Sequence, residues 1–129
     1  MTGKFATAIN CMDGRTQIPV NEWMRQEFGV DYVDTITEPG TDGILSNPTH
    51  EKLDSIRKRL LISVNHHGSC VVALVGHHDC AGNPGPKEKH LQELKKGCER
   101  LALWGLPVRI VGLWVGEDWK VEKVHDSTR

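Results

Sequence analysis

The chain has 129 residues, of which 38% are hydrophobic and 26% are charged. This composition fits one globular domain over residues 1–129 and excludes disordered, collagen-like and low-complexity chains. The 16 basic and 17 acidic side chains nearly cancel, so neither nucleic acid nor a membrane surface is an expected partner. The sequence also lacks a membrane span and the apolar core of a signal peptide. We therefore expect a cytoplasmic protein whose four cysteines stay reduced.

Short apolar runs alternate with segments of helical periodicity in the first half of the chain. Residues 5–9 predict a strand, and residues 19–28 predict a helix that begins at a proline. Residues 32–37 predict a second strand. A second helix is expected over residues 48–67, with Asn47 as its N-terminal cap.

The second half of the chain continues this alternation. Residues 70–75 are continuously apolar, as expected of a parallel strand that is buried on both faces. A third helix is expected from Pro86, and residues 108–115 predict another buried strand. Residues 119–124 form a more polar run that suits an edge strand after a tight turn. The order β-α-β-α-β-α-β-β predicts an α/β fold, in which helices flank a mostly parallel central sheet with an antiparallel C-terminal edge strand.

Two loops that directly follow predicted strands carry side chains that bind metals. The first contains Cys11, and the second contains His77 and Cys80. Because the carboxyl ends of parallel strands share one edge of a sheet, we expect the two loops to meet there. Two thiolates and one imidazole are ligands that Zn²⁺ prefers, and a set of three leaves a fourth position open, as in catalytic zinc sites.

The first of these loops reads Cys-x-Asp-x-Arg and the second reads Gly-His-x-x-Cys, and together they resemble the β-class carbonic anhydrases. The similarity extends over nearly the whole chain. It implies that Cys11, His77 and Cys80 bind one Zn²⁺ per chain, beside a catalytic dyad of Asp13 and Arg15. It also implies the family's fold and the reversible hydration of CO₂ to bicarbonate and a proton by a zinc-bound hydroxide. Asp13 would accept the hydrogen bond of the hydroxide, while Arg15 keeps that carboxylate ionised.

The chain departs from the family's pattern at several points. Ala81 follows Cys80 where the family usually has glycine, and the turn after the second strand keeps only Gly40 of an Arg-Asn-Ala-Gly-like motif. Relative to the family, we expect two segments to be short or absent, namely the N-terminal helical arm, which usually supplies pocket residues across a dimer interface, and the longer helical segment after the ligand Cys. We still expect a homodimer, because the apolar strand over residues 108–115 needs cover on both faces of the sheet.

Three other functions are compatible with the same residues. A relative on this scaffold would hydrolyse carbonyl sulfide or carbon disulfide, which are linear like CO₂. A zinc-binding structural or regulatory domain would keep the metal without turnover. A cysteine hydrolase would use Cys11 as a nucleophile beside His77, but this interpretation leaves Cys80 without a role.

Further polar side chains have a structural interpretation beside a functional one. His78 is either a proton shuttle or an exposed histidine. His67 and Cys70 repeat the His-x-x-Cys spacing, but they lie at the opposite edge of the predicted sheet from Cys11, where a helix end favours histidine. Cys98 is expected in the core, and residues 40–43 are expected to form a turn.

Overall fold

The structure is a computed structural model that describes residues 3–128. Within them the chain forms five strands and four helices, and no helix there is long and apolar enough to cross a membrane. In chain order the elements are β1 (Phe5–Cys11), α1 (Gly14–Phe28), β2 (Tyr32–Glu38), α2 (Thr41–Ser46), α3 (Leu53–His67), β3 (Val71–His77), α4 (Lys87–Leu103), β4 (Arg109–Val115) and β5 (Val121–Asp126).

The strands form one sheet in the order β2-β1-β3-β4-β5. The first four strands are parallel, and β5 pairs antiparallel with β4. Every residue of β3 is buried, as predicted for a strand covered on both faces. The predicted α/β class, the mostly parallel sheet and the antiparallel C-terminal edge strand are therefore confirmed.

Helices cover both faces of the sheet and divide the core into two layers. Val20 and Met24 of α1 pack on one face, against small and β-branched residues of the central strands. On the other face, α2, α3 and α4 bury a larger cluster that includes Leu60, Leu94 and Cys98. Only 1% of Cys98 is exposed, and burial raises the pKa of its thiol to about 12, so the predicted core position is confirmed.

Helix α1 begins five residues earlier than the proline at position 19 indicates. Asp13 caps the helix by accepting a hydrogen bond from the Arg15 backbone N–H at 2.9 Å. Gln17 Nε2 donates to the Cys11 carbonyl at 2.8 Å and joins this first turn to the end of β1. Pro19 lies inside the helix, where it lacks one backbone N–H. The predicted start was wrong because an aspartate cap and packing outweigh the preference of proline for the first helical position.

The segment between β2 and α3 also differs from its prediction. Residues 40–43 were expected to be a turn, but Gly40 is the N-terminal cap of the short helix α2 and residues 41–43 are its first three residues. The helix is anchored by the Thr41 hydroxyl, which bridges the carbonyls of Ile9 and Val75 at 3.3 and 3.2 Å. Helix α3 begins at Leu53 and not at residue 48. Asn47 accepts a hydrogen bond from the Thr49 backbone N–H at 3.2 Å. It therefore stabilises a turn and does not cap the N-terminus of α3.

Candidate metal centre

Three buried side chains converge at the carboxyl edge of the sheet. Cys11 ends β1, His77 ends β3, and Cys80 lies in the loop that follows β3. At most 4% of each residue is exposed, and their ligand atoms all lie within 4.8 Å of one another. The parallel pairing of β1 with β3 therefore brings together the three residues that the sequence placed at one edge.

The geometry of this group fits a tetrahedral metal ion. The sulfur atoms of Cys11 and Cys80 are 3.9 Å apart. Two Zn–S bonds of about 2.3 Å at a tetrahedral angle would separate the sulfurs by about 3.8 Å. His77 donates from Nδ1 to the His78 carbonyl at 2.7 Å, which leaves the lone pair on Nε2. That Nε2 atom is buried without a hydrogen-bond partner, and a metal ion would satisfy it.

The electrostatics of the two thiols also favour a cation. Burial opposes ionisation of Cys11, but the His77 imidazole and the Gly40 backbone N–H, 3.4 Å from Sγ, lower the thiol pKa to about 7. Burial and the negative charge of Cys11 raise the pKa of Cys80 to about 11. Without a metal ion, the site therefore holds at most one thiolate at neutral pH. A bound divalent cation would stabilise the second thiolate.

An aspartate–arginine pair lies at the rim of this group. Asp13 Oδ2 is 4.0 Å from His77 Nε2, and it accepts a hydrogen bond from Arg15 Nη2 at 2.7 Å. Arg15 Nε donates to Asp13 Oδ1 at 3.1 Å, which completes a two-point contact. The hydrogen bonds from Arg15 lower the Asp13 pKa to about 2, so this carboxylate is ionised at neutral pH.

The loop after β3 closes around the arginine. Arg15 Nη1 donates to Asp79 Oδ2, and Arg15 Nη2 donates to the Asp79 carbonyl, both at 3.2 Å. Asp79 has a φ of 58°, a left-handed conformation that aspartate tolerates better than most residues. The His78 backbone N–H donates to the Val115 carbonyl at 2.8 Å, and the His78 residue is exposed. An open cleft of about 340 Å³, lined by His78, Cys80 and Trp114 among others, runs beside the thiols.

A second polar group, which the sequence analysis missed, lies between α2 and α4. Asp42 and His90 are each 1% exposed, and Asp42 Oδ2 is 2.5 Å from His90 Nδ1. Asn83 Nδ2 donates to Asp42 at 2.9 Å and to Glu93 at 3.1 Å, and Lys89 Nζ lies 3.2 Å from Glu93. The Asn83 amide and the Lys89 ammonium already contact these carboxylates. We therefore interpret the group as a hydrogen-bond network and not as a second metal centre.

This network joins the two loops that donate to the thiols. Asp42 follows Gly40, whose N–H points at Cys11, and the backbone N–H groups of Gly82 and Asn83 lower the pKa of Cys80 against the effect of burial. The network had no periodic sequence signal, because its members come from a short helix, a loop and a long helix. Only the folded sheet brings these three segments together.

Replacing Gly76 with alanine is expected to destabilise the protein by about 1–3 kcal/mol. A Cβ atom on Gly76 would overlap the Asp42 carboxylate, which is fixed by Asn83 and His90. Urea unfolding of the metal-free protein measures the change. Gly14→Ala is the matched control, because a Cβ there meets no atom within 4 Å. Equal unfolding midpoints for the two variants would contradict the crowding argument.

Comparison with solved structures defines the fold. A carbonic anhydrase from Glaciozyma antarctica matches 93% of this chain and 81% of its own, with a TM-score of 0.63 and 18% sequence identity. Tetrameric beta-carbonic anhydrases from the filamentous ascomycete Sordaria macrospora match 94% of this chain and 80% of their own, with a TM-score of 0.50 and 13% identity. The chain therefore has the fold of the β-carbonic anhydrases.

Sequence comparison then identifies the family. The family model described as "Putative carbonic anhydrase" matches residues 1–125, and the chain belongs to that family. No curated protein matches the chain by sequence. The resemblance drawn from the two sequence motifs is thus confirmed.

Proposed function

We propose that this protein is a zinc-dependent carbonic anhydrase that catalyses the reversible hydration of CO₂ to bicarbonate and a proton. Membership of the carbonic anhydrase family supports CO₂ hydration in general. One observation carries the finer assignment, namely that two thiols and an unpartnered imidazole nitrogen meet beside an ionised carboxylate. Of the residue types present, this set suits a catalytic zinc site best, because it leaves one position for a small ligand.

In this proposal Cys11, His77 and Cys80 hold one zinc ion per chain. When bound, zinc would lower the pKa of a water molecule so that its nucleophilic, deprotonated form is available near neutral pH. The hydrogen bond from His77 Nδ1 to the His78 carbonyl fixes the ring and leaves Nε2 available to bind the ion. The backbone N–H groups at Gly40 and beyond Cys80 stabilise the two thiolates.

Asp13 and Arg15 would complete the site by orienting the nucleophile. Two thiolates neutralise the charge of the ion, so water there is less acidified than beside three neutral imidazoles. A fixed hydrogen-bond acceptor beside this water would then favour its deprotonated, nucleophilic form. Asp13 would accept that hydrogen bond, and the two-point contact with Arg15 keeps the carboxylate ionised and aligned.

Metal analysis combined with stopped-flow CO₂ hydration tests the proposal. We expect about one zinc per chain, hydration well above the buffer rate, loss of activity after chelation, and recovery on adding zinc. Zinc binding without hydration would reject the enzyme and favour a structural zinc domain. Release of sulfide from carbonyl sulfide or carbon disulfide, with negligible CO₂ hydration, would favour the sulfur-analogue hydrolase. The homodimer, the cytoplasmic location and the single domain over residues 1–129 stay predictions from the sequence.

A further inference from the structure

Trp119 has an energetically unfavourable backbone conformation in the turn between β4 and β5. Its φ is 59°, in the left-handed region that glycine and asparagine adopt more readily than a bulky aromatic residue. Its backbone N–H donates to the Gly116 carbonyl at 2.9 Å, so the turn fixes this conformation. Strain of this kind persists where the surrounding contacts stabilise it, and it often marks a functional position. The contacts of the indole are therefore informative.

The Trp119 indole lies beside the candidate metal centre, on the side of the β4–β5 turn. The Arg15 guanidinium carbon lies 4.5 Å from the centroid of the ring, in a cation–π contact. The rings of His77 and His78 lie 6.3 and 6.4 Å from the same indole. Trp119 is half-buried and also packs against the core layer beneath α1. Its ring is thus anchored on the sheet while one face holds the arginine.

Arg15 needs such an anchor because its side chain is 47% exposed. Exposed ion pairs are weak on their own, since a long side chain loses rotamer freedom when it holds one geometry. Here Asp13 and Asp79 bind the polar edge of the guanidinium, and Trp119 covers its face. Together these contacts leave Arg15 one orientation.

We propose that Trp119 is a positioning residue for the Asp13–Arg15 pair. By stacking on the guanidinium, the indole holds the two-point contact that keeps Asp13 Oδ2 4.0 Å from His77 Nε2. Without the indole, Arg15 turns into solvent and Asp13 loses its alignment at the rim of the site. The catalytic consequence rests on the proposed carbonic anhydrase function, whereas the positioning itself does not.

The test compares Trp119→Leu and Trp119→Phe with a matched control in the zinc-loaded full chain. Leucine removes the aromatic face, whereas phenylalanine keeps it, and neither is branched at Cβ. Trp104→Leu is the control, because Trp104 stacks on Arg57 at 5.6 Å, away from the site. The first readout is the heteronuclear ¹⁵N–¹H NOE of Arg15 Nε, which reports how rigidly the guanidinium is held whether or not an aromatic ring lies beside it. We expect a clear fall of this NOE in Trp119→Leu, a small fall in Trp119→Phe and none in Trp104→Leu.

The second readout is a double-mutant cycle between Arg15→Gln and Trp119→Leu, measured by urea unfolding. A cation–π contact at a partly exposed site predicts that the two changes are non-additive by about two- to fivefold in the unfolding equilibrium constant. The third readout is CO₂ hydration at equal zinc content. Misalignment of a catalytic group predicts a fall in kcat on the order of tenfold for Trp119→Leu, with most of the activity kept in Trp119→Phe.

The outcomes separate this inference from the proposed function. An unchanged Arg15 NOE in Trp119→Leu together with additive unfolding energies in the cycle overturns the positioning role. A lowered NOE with unchanged kcat overturns its catalytic consequence. If the zinc-loaded wild-type protein does not hydrate CO₂, the proposed function fails, and the NOE and the cycle still decide whether Trp119 positions the pair.

Discussion

Replacing Cys80 with serine is expected to abolish stoichiometric zinc binding. Cys80 Sγ lies 3.9 Å from Cys11 Sγ and supplies one of the two thiolates of the proposed site. A serine hydroxyl does not ionise near neutral pH, so the remaining ligands offer one thiolate and one imidazole. Loss of a residue that merely supports a ligand lowers metal affinity by about 10- to 100-fold. Loss of the ligand itself should lower the affinity by more than that. Competition with a chromophoric chelator measures the affinity.

Two other cysteines provide controls for this substitution. Cys70 is exposed, so Cys70→Ser should leave zinc content and affinity unchanged. Cys98 lies on α4 and is buried in the core, so Cys98→Ser tests whether a general loss of stability releases zinc. We expect Cys98→Ser to unfold more readily and still bind one zinc per chain. Retention of zinc by Cys80→Ser at wild-type affinity would remove Cys80 from the ligand set.

Replacing Asp13 with asparagine is expected to leave zinc bound and to lower the rate of CO₂ hydration by about 100-fold or more. The amide keeps the size of the carboxylate but loses its negative charge, which Arg15 stabilises by lowering the Asp13 pKa to about 2. Asparagine is also a good N-terminal cap, so α1 should remain stable. Stopped-flow rates, zinc content and thermal unfolding measured on one preparation separate the catalytic effect from misfolding.

Asp31→Asn is the matched control for this change. Asp31 also accepts a backbone hydrogen bond, from the Lys4 N–H at 2.8 Å, but it lies at the other end of the sheet. We expect wild-type rates for this variant. A zinc-loaded Asp13→Asn protein with an undiminished rate would exclude the carboxylate from the mechanism.

The central sheet and the meeting of the ligand loops were predictable because both follow from local rules. Continuous apolar runs identify buried parallel strands, and parallel strands place their carboxyl ends at one edge. Cys11, His77 and Cys80 follow directly from that topology. Asp13 and Arg15 were expected beside the ligands because they follow Cys11 directly in the chain, but the capping of α1 by Asp13 was not predicted.

The parts that sequence reasoning missed depend on contacts between distant segments. Helix α2 is too short for a periodic signal, and its anchor is a threonine that bridges two strands. The buried Asp42–His90 pair joins residues 48 positions apart. In the sequence, Trp119 belongs to a polar run that is typical of an edge strand. Its stacking on Arg15 arises only when the β4–β5 turn packs beside the start of α1. Nothing in the local pattern marks these residues.

The two sulfur atoms of the candidate site are separated by 69 positions along the chain. An ion held between them would act as a cross-link that closes more than half of the polypeptide into a loop. Such a closure restricts the unfolded ensemble far more than the native state, and its effect grows slowly with loop length. The metal would thus stabilise the folded sheet in addition to taking part in catalysis. The concentration of free zinc would then set the fraction of the protein that is folded, in addition to the fraction that is active.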